Sequence, residues 1–255
     1  MIKKLFIIAH LTVRELLSAR VVFILAGASL AFFFMLSLIN YFDPTEGAKV
    51  LHDLGFTLCA FFAFMLILFG VPAVLHSGAE HEQDVLFLSK AVSRSTYLNG
   101  KIIGVMSTLT ISLGVLIALV LGIIALRIGK ITPAVPTAIF LMYIKYVSFA
   151  AIMVLIGVLV DKMMAYFLGI SVFFFAHGLR SFEMVAYQAG STTAAALASF
   201  LKTILPRYDY FTIVETITLE TAVPVAYVLK VTAYACVYSL IVLTAAHVIY
   251  ARKEF

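Results

Sequence analysis

Six long apolar stretches, at residues 21–39, 55–75, 102–126, 136–160, 163–179 and 222–250, decide what this chain can fold into. A helix needs roughly 20 such residues to cross the hydrocarbon core of a bilayer. Charged residues make up only 12% of the 255 positions, against about 25% in a soluble domain, so the apolar surplus has lipid to face. The runs are uninterrupted and rich in Leu, Ile, Phe and Val, whereas a transmembrane barrel alternates over roughly 10-residue strands. The pattern predicts an all-α membrane protein of six transmembrane helices. An N-terminal interfacial (elbow) helix precedes them, and short outer-face helices lie between spans five and six.

The remaining segments are too short to fold as a separate soluble domain. One membrane domain, 1–255, is expected, with an interfacial helix over 1–20, a cytoplasmic loop over 76–101 and an outer-face segment over 180–221. The basic start at Lys3 and Lys4 resembles that of a signal peptide, but the following run breaks at His10 and Arg14 without a small-residue cleavage site, so it is expected to be retained. Cys59 and Cys236 both fall inside spans and read as packing residues.

Six spans put both termini on one side, and the basic residues of the short loops set the orientation. Lys3, Lys4, Arg14, Arg20, Lys90, Arg94, Lys101, Lys162, Arg252 and Lys253 fall on the side of the termini, against Lys49, Arg127, Lys130, Arg180, Lys202 and Arg207 on the other. Both termini are therefore expected in the cytoplasm, with the chain a multi-pass protein of a bacterial-type inner membrane. The net charge of +5 then serves anionic lipid headgroups. No basic cluster with interleaved aromatics suggests a nucleic-acid partner.

Four segments carry functional signals. In residues 2–20, apolar positions Ile2, Leu5, Phe6, Ala9, Val13, Leu16 and Leu17 recur at helical spacing, leaving Lys3, His10, Arg14 and Ser18 on another face. This predicts a helix lying in the membrane interface. In the loop over 76–101, Glu80, Glu82 and Asp84 lead into Val85, Leu86, Phe87 and Leu88. Two readings stay open there: a short helix pressing an apolar ridge onto a partner, or a re-entry against the protein's own helix ends. Residues 180–221 are too long for a turn and too apolar for a free linker. The small-residue stretch 190–205 predicts a closely packed helix that Pro206 ends.

The fourth signal is a pair of intramembrane cations, Lys145 and Lys230. A charge in mid-span costs about 3 kcal/mol on insertion scales, against about 0.3–0.6 gained per Leu, Ile, Val or Phe. The thirteen such residues from Ile139 to Val160 suffice to keep Lys145 inserted. Snorkelling to the interface and a place on a translocation path are both open for these two lysines.

Other chemistry lacks its residues. No Gly-x-x-x-x-Gly-Lys-Ser/Thr phosphate cradle occurs, because Gly100-Lys101 is followed by Ile102 and lacks the first glycine. His76 and His81 are five apart, an offset that splays them on a helix, unlike the four of zinc helices, so no metal is expected. No nucleophile stands in a recognisable motif, and no acidic residue sits inside a span to relay protons or sodium. The chain reads as neither an enzyme nor an ion-coupled transporter.

Along almost its whole length the sequence resembles the membrane subunit of an ABC-2-type ATP-binding-cassette transporter, in the permease group associated with multicopper-enzyme maturation. Residues Ile8 to Glu15, with their Arg14-Glu15 pair, are similar to that family's interfacial helix, and Asp53-Leu54-Gly55 to the opening of its second span. The most specific stretch runs from Glu80 through Leu88-Ser89-Lys90-Ala91-Val92-Ser93-Arg94 and on to Tyr97-Leu98-Asn99-Gly100-Lys101-Ile102-Ile103-Gly104. Leu205 to Phe211 and the terminal Arg252-Lys253-Glu254-Phe255 resemble two further signatures. The chain departs from the family at Gly78, where a second glutamate is usual, and at Ala91, where proline is usual.

The resemblance implies an exporting half-channel that pairs with a second permease copy, identical or related, and with separate ATPase subunits that bind the ATP and magnesium. It implies a coupling face made of Glu80, Glu82, Asp84, Val85, Leu86, Leu88, Ser89, Lys90, Ser93 and Arg94, and no cofactor in this chain. The alternative is a scaffold or anchor subunit that holds a partner enzyme at the membrane without moving solute.

Overall fold

A computed structural model describes residues 2–18, 26, 27, 29–31, 34, 44–80, 93–128, 134–188, 192–212 and 223–252. Among the described residues every regular element is helical: α1 (Ile2–Ser18), α2 (Pro44–Glu80), α3 (Arg94–Ile128), α4 (Ala134–Leu159), α5 (Lys162–Gln188), α6 (Thr192–Ile204), a single 3₁₀ turn (Tyr208–Phe211) and α7 (Val225–Arg252). A bilayer leaves the backbone no water to bond, so continuous apolar segments satisfy it internally as helices. Five stretches are long and apolar enough to cross a membrane: Val50–His76, Arg94–Leu126, Ala134–Leu159, Lys162–Ala186 and Val225–Arg252. These answer to the second through sixth expected spans. Of the first, over 21–39, only 26, 27, 29–31 and 34 are among the described residues.

The helices outrun the apolar windows, which corrects two expected boundaries. The loop expected over 76–101 narrows, because α2 continues to Glu80 and α3 begins at Arg94. Ser93 starts α3 as its cap, its Oγ accepting from the Thr96 N–H at 3.3 Å. The segment expected over 180–221 begins in mid-helix, since α5 runs on to Gln188. Its polar residues Arg180 and Glu183 read as loop in the sequence, yet Glu183 has a partner that keeps it on the helix. α6 ends where Pro206 requires, its last bond running from the Leu205 N–H to the Leu201 carbonyl at 2.8 Å.

α4 is the central helix. It is apolar all round, with residues from Ala134 to Val158 buried on every face, as a helix surrounded by others must be. α2, α5 and α7 pack against it, and α3 packs on α2. α4 and α5 form a tight hairpin at Val160 and Asp161. The Asp161 carboxylate sits at the α5 N-terminus, where it faces the Met164 N–H at 3.5 Å and the positive end of the helix dipole. Large apolar side chains of α5 and α7 remain exposed, among them Phe167, Phe175, Leu229, Leu240 and Ile241, as befits surfaces that would meet lipid.

α1 lies along the first turns of α3. A Cβ placed on Gly100 would stand 2.7 Å from Ile8 Cγ2, and one on Gly104 would stand 2.5 Å from Thr12 Cβ, so only glycine lets the two helices approach this closely. The buried face of α1 is Ile8, Ala9, Thr12 and Leu16. It is rotated from the expected apolar stripe, because the contact is made to a glycine groove that admits the branched Ile8 and Thr12. Phe6, expected within the stripe, is 65% exposed, and Arg14 and Glu15 are also exposed.

Candidate functional site

Lys145 on α4 and His177 on α5 stand sixteen residues either side of Asp161, so the antiparallel hairpin brings them level. At 1.5 Å per residue they lie about 24 Å from the hairpin turn, within a core about 30 Å thick. Lys145 Nζ is 3.1 Å from His177 Nε2, and His177 Nδ1 is 3.0 Å from the Phe173 carbonyl. The carbonyl can only accept, so Nδ1 carries the hydrogen. Nε2 then offers its lone pair to the Lys145 ammonium. Lys145 is 8% exposed, with its Nζ 5.2 Å from the centre of the Tyr146 ring.

The pair opens into a cavity of about 600 Å³ enclosed by α2, α4, α5 and the 3₁₀ turn. Seven phenylalanines line it, and its polar lining comes from Thr57, Lys145, Tyr146, His177 and Thr212. Ring contacts make one wall continuous: Phe173 lies 4.2 Å from Phe64, 5.0 Å from Phe149 and 4.2 Å from His177, centre to centre. Among the described residues, Phe61, Phe69 and Phe174 line the cavity and stay exposed, so its opening lies between α2 and α5.

The far wall belongs to the segment after α6. Tyr208 is fully buried against His177, with ring centres 5.1 Å apart, and Phe211 lines the cavity beside it. Burial pushes the Tyr208 hydroxyl well above its ordinary value, so the ring stays neutral there. Burial also pushes the Asp209 carboxyl up, against the pull of Arg180, Arg207 and Lys145. The segment is pinned by Arg207, whose Nη2 donates to both Glu183 oxygens at 2.9 and 2.7 Å and whose Nη1 donates to the Tyr210 hydroxyl at 2.9 Å. Lys202 adds an ion pair to Glu183 at 3.2 Å. Three tyrosines of α7 complete the clamp. Tyr227 donates to the Tyr210 carbonyl, Tyr238 donates to the Ile204 carbonyl, and the Tyr234 hydroxyl accepts from the Arg207 N–H.

The opposite end of the bundle holds what is described of the expected coupling face. Arg94 donates to the Ala251 carbonyl near the end of α7 at 3.3 Å. Lys101 is 5% exposed and donates to the Val74 carbonyl of α2 at 2.8 Å. His76 has Nδ1 2.9 Å from the Pro72 carbonyl and Nε2 3.1 Å from the Val160 carbonyl; both oxygens accept, so a neutral ring donates to one and a doubly protonated ring to both, tying α2 to the α4–α5 hairpin. Its ring is thus turned onto backbone, and among the described residues no three metal-ligating side chains gather. Glu80 closes α2. Glu82, Asp84, Val85, Leu86, Leu88, Ser89 and Lys90 lie outside the described residues. Lys230 is exposed on α7, away from the cavity lining.

His177 was not singled out in the sequence, and Tyr208 entered only within the Leu205 to Phe211 stretch. The available signal was the equal spacing of Lys145 and His177 about Asp161, which matters only once the α4–α5 hairpin is assumed. In comparisons with known proteins, no family model matches the chain and no curated protein matches it.

Proposed function

We propose that this chain is the membrane subunit of an ABC-2-type transporter, an exporting half-channel driven by a separate ATPase and paired with a second permease copy. In this reading residues 21–39 form a sixth span and α1 lies in the cytoplasmic interface as an elbow. α6 and the 3₁₀ turn face the outside, and both termini are cytoplasmic in a bacterial-type inner membrane. The sequence has no phosphate cradle of its own, which is why the nucleotide is assigned to a partner.

One observation favours a conduit over a scaffold: the Lys145–His177 pair buried in a cavity large enough for a solute. An anchoring protein has no need of a buried ammonium toward the end of a span, whose insertion cost is at most the mid-span figure of about 3 kcal/mol. An ionisable residue buried within a span points to a functional site by default, a solute path being one kind. The glycine seat of α1 also supports the reading. It falls on Gly100 and Gly104, within the stretch that carries the resemblance, and fixes α1 beside the first turns of α3.

For ATP to drive a bundle of this kind, the ATPase must touch it differently in its two nucleotide states. Glu80, Glu82 and Arg94 are assigned to those contacts. Co-purification with a candidate ATPase subunit produced in the same cells, followed by charge reversal at all three positions, tests this. Loss of assembly or of solute-stimulated ATP hydrolysis is expected. Unchanged assembly together with unchanged hydrolysis would refute the assignment.

A further inference from the structure

We infer that the cavity around Lys145 binds a single-chain anionic amphiphile, with its head on the Lys145 ammonium and its apolar tail along the phenylalanine wall. The inference rests on the transporter reading for its role, naming the class of cargo, but the binding itself requires only this chain.

Three features select the class. First, the cavity lining includes Lys145 and contains no carboxylate among the described residues, Asp209 attracting Lys145 only from behind the wall. Lys145 has three N–H donors, and among the described residues its side-chain hydrogen-bond partner is His177 Nε2. An ammonium in so apolar a setting is best satisfied by an anion that brings its own acceptors. Second, the rest of the lining is aromatic and aliphatic, which suits a tail and repels a small hydrated ion such as phosphate. The volume of about 600 Å³ lies inside the range of about 300–1,000 Å³ usual for small-molecule sites. Third, among the described residues the opening between α2 and α5 is apolar, at Phe61, Phe69 and Phe174, so a molecule dissolved in the membrane reaches Lys145 without crossing water. His177 acts here as a positioning residue. Its Nδ1–H is held by the Phe173 carbonyl and its ring is flanked by Phe173 and Tyr208, so Nε2 fixes where Nζ stands.

The chain contains no tryptophan, so one introduced indole reports alone. Phe174→Trp puts it at the mouth, on a side chain already 65% exposed. The full chain, purified in uncharged detergent, is titrated with 9,10-dibromostearic acid at a pH where the free acid is ionised, and separately with its methyl ester. Both carry the same quenching tail, and only the first carries the anion. The acid is expected to quench at a concentration roughly tenfold or more below the ester, the scale of one desolvated charged hydrogen bond. Adding Lys145→Gln should remove that preference, while Lys145→Arg should keep most of it. A second reporter, Val237→Trp on the exposed face of α7, should show no preference.

Equal quenching by acid and ester at Phe174→Trp overturns the inference, and this comparison needs no substitution at Lys145. A preference that survives Lys145→Gln, or that appears equally at Val237→Trp, overturns it as well, since either would reflect general partitioning of an anion near a basic protein. The assay contains no ATPase. Its failure therefore leaves the permease reading standing, whereas loss of ATPase coupling would leave the binding result untouched.

Discussion

The two ends of the bundle are held together by different chemistry. At the end near Lys145, side chains bind one another across elements: Arg207 to Glu183, Lys202 to Glu183, and the 3₁₀ turn to a row of tyrosines on α7. At the opposite end, side-chain nitrogens bind backbone carbonyls: His76 at Val160 after α4 and Arg94 at Ala251 near the close of α7, with Lys101 at Val74 inside α2. The last carbonyls of a helix lack intrahelical donors and carry the negative end of its dipole, so basic groups suit them. Arg94, counted in the sequence as a loop charge that sets orientation, therefore also serves as a helix-end partner. The first end is a clamp on a short segment that forms a cavity wall. The second leaves α1 seated on glycines, where fit rather than charge holds it.

That contrast can be broken at one end without the other. The largest effect is expected from Gly104→Leu, because a Cβ there already meets Thr12 at 2.5 Å. Overpacking of this kind costs about 1–3 kcal/mol. Thermal unfolding in detergent should drop accordingly, with faster hydrogen exchange in α1 and unchanged exchange in α6. Gly114→Ala on the same helix has nothing within 4 Å of the new methyl and is the control. It should be neutral, or stabilising by up to about 1 kcal/mol through helix propensity. If both variants behave alike, the seat is not the reason for the glycines.

A comparable or smaller loss, roughly 1–3 kcal/mol, is expected from Arg207→Ala, which removes charged hydrogen bonds that are only partly shielded from solvent. Exchange should rise in α6 and the 3₁₀ turn and stay unchanged in α1. Lys202 remains to neutralise Glu183, which limits the damage. A uniform loosening of both ends would show that they are not separate devices.

Much of this architecture was legible in the sequence because lipid makes long apolar runs helical whatever their order. Five of the expected spans answer to helices long and apolar enough to cross, and Pro206 marked the end of α6. Helix ends were harder to place. Glu183 and Lys101 look like loop residues by hydropathy, and only their partners, Arg207 and the Val74 carbonyl, explain why they sit on helices. Lys145 stood out as a charge in a span. His177 did not, since one imidazole barely dents an apolar window, and its meaning comes from a neighbour 32 residues away. The cavity was not legible, because its walls come from α2, α4, α5 and the 3₁₀ turn, and their packing is set by side-chain shape rather than by periodicity.

The central proposal is that a partner ATPase works this bundle through the segment between α2 and α3. A photo-cross-linking residue at position 86, introduced into cells that also produce the candidate ATPase subunit, tests it most directly. The account predicts a cross-link to the ATPase whose yield differs between the nucleotide-free and ATP-trapped states. Absence of that cross-link in both states, or reaction of position 86 only with reagents applied outside the cell, would contradict it.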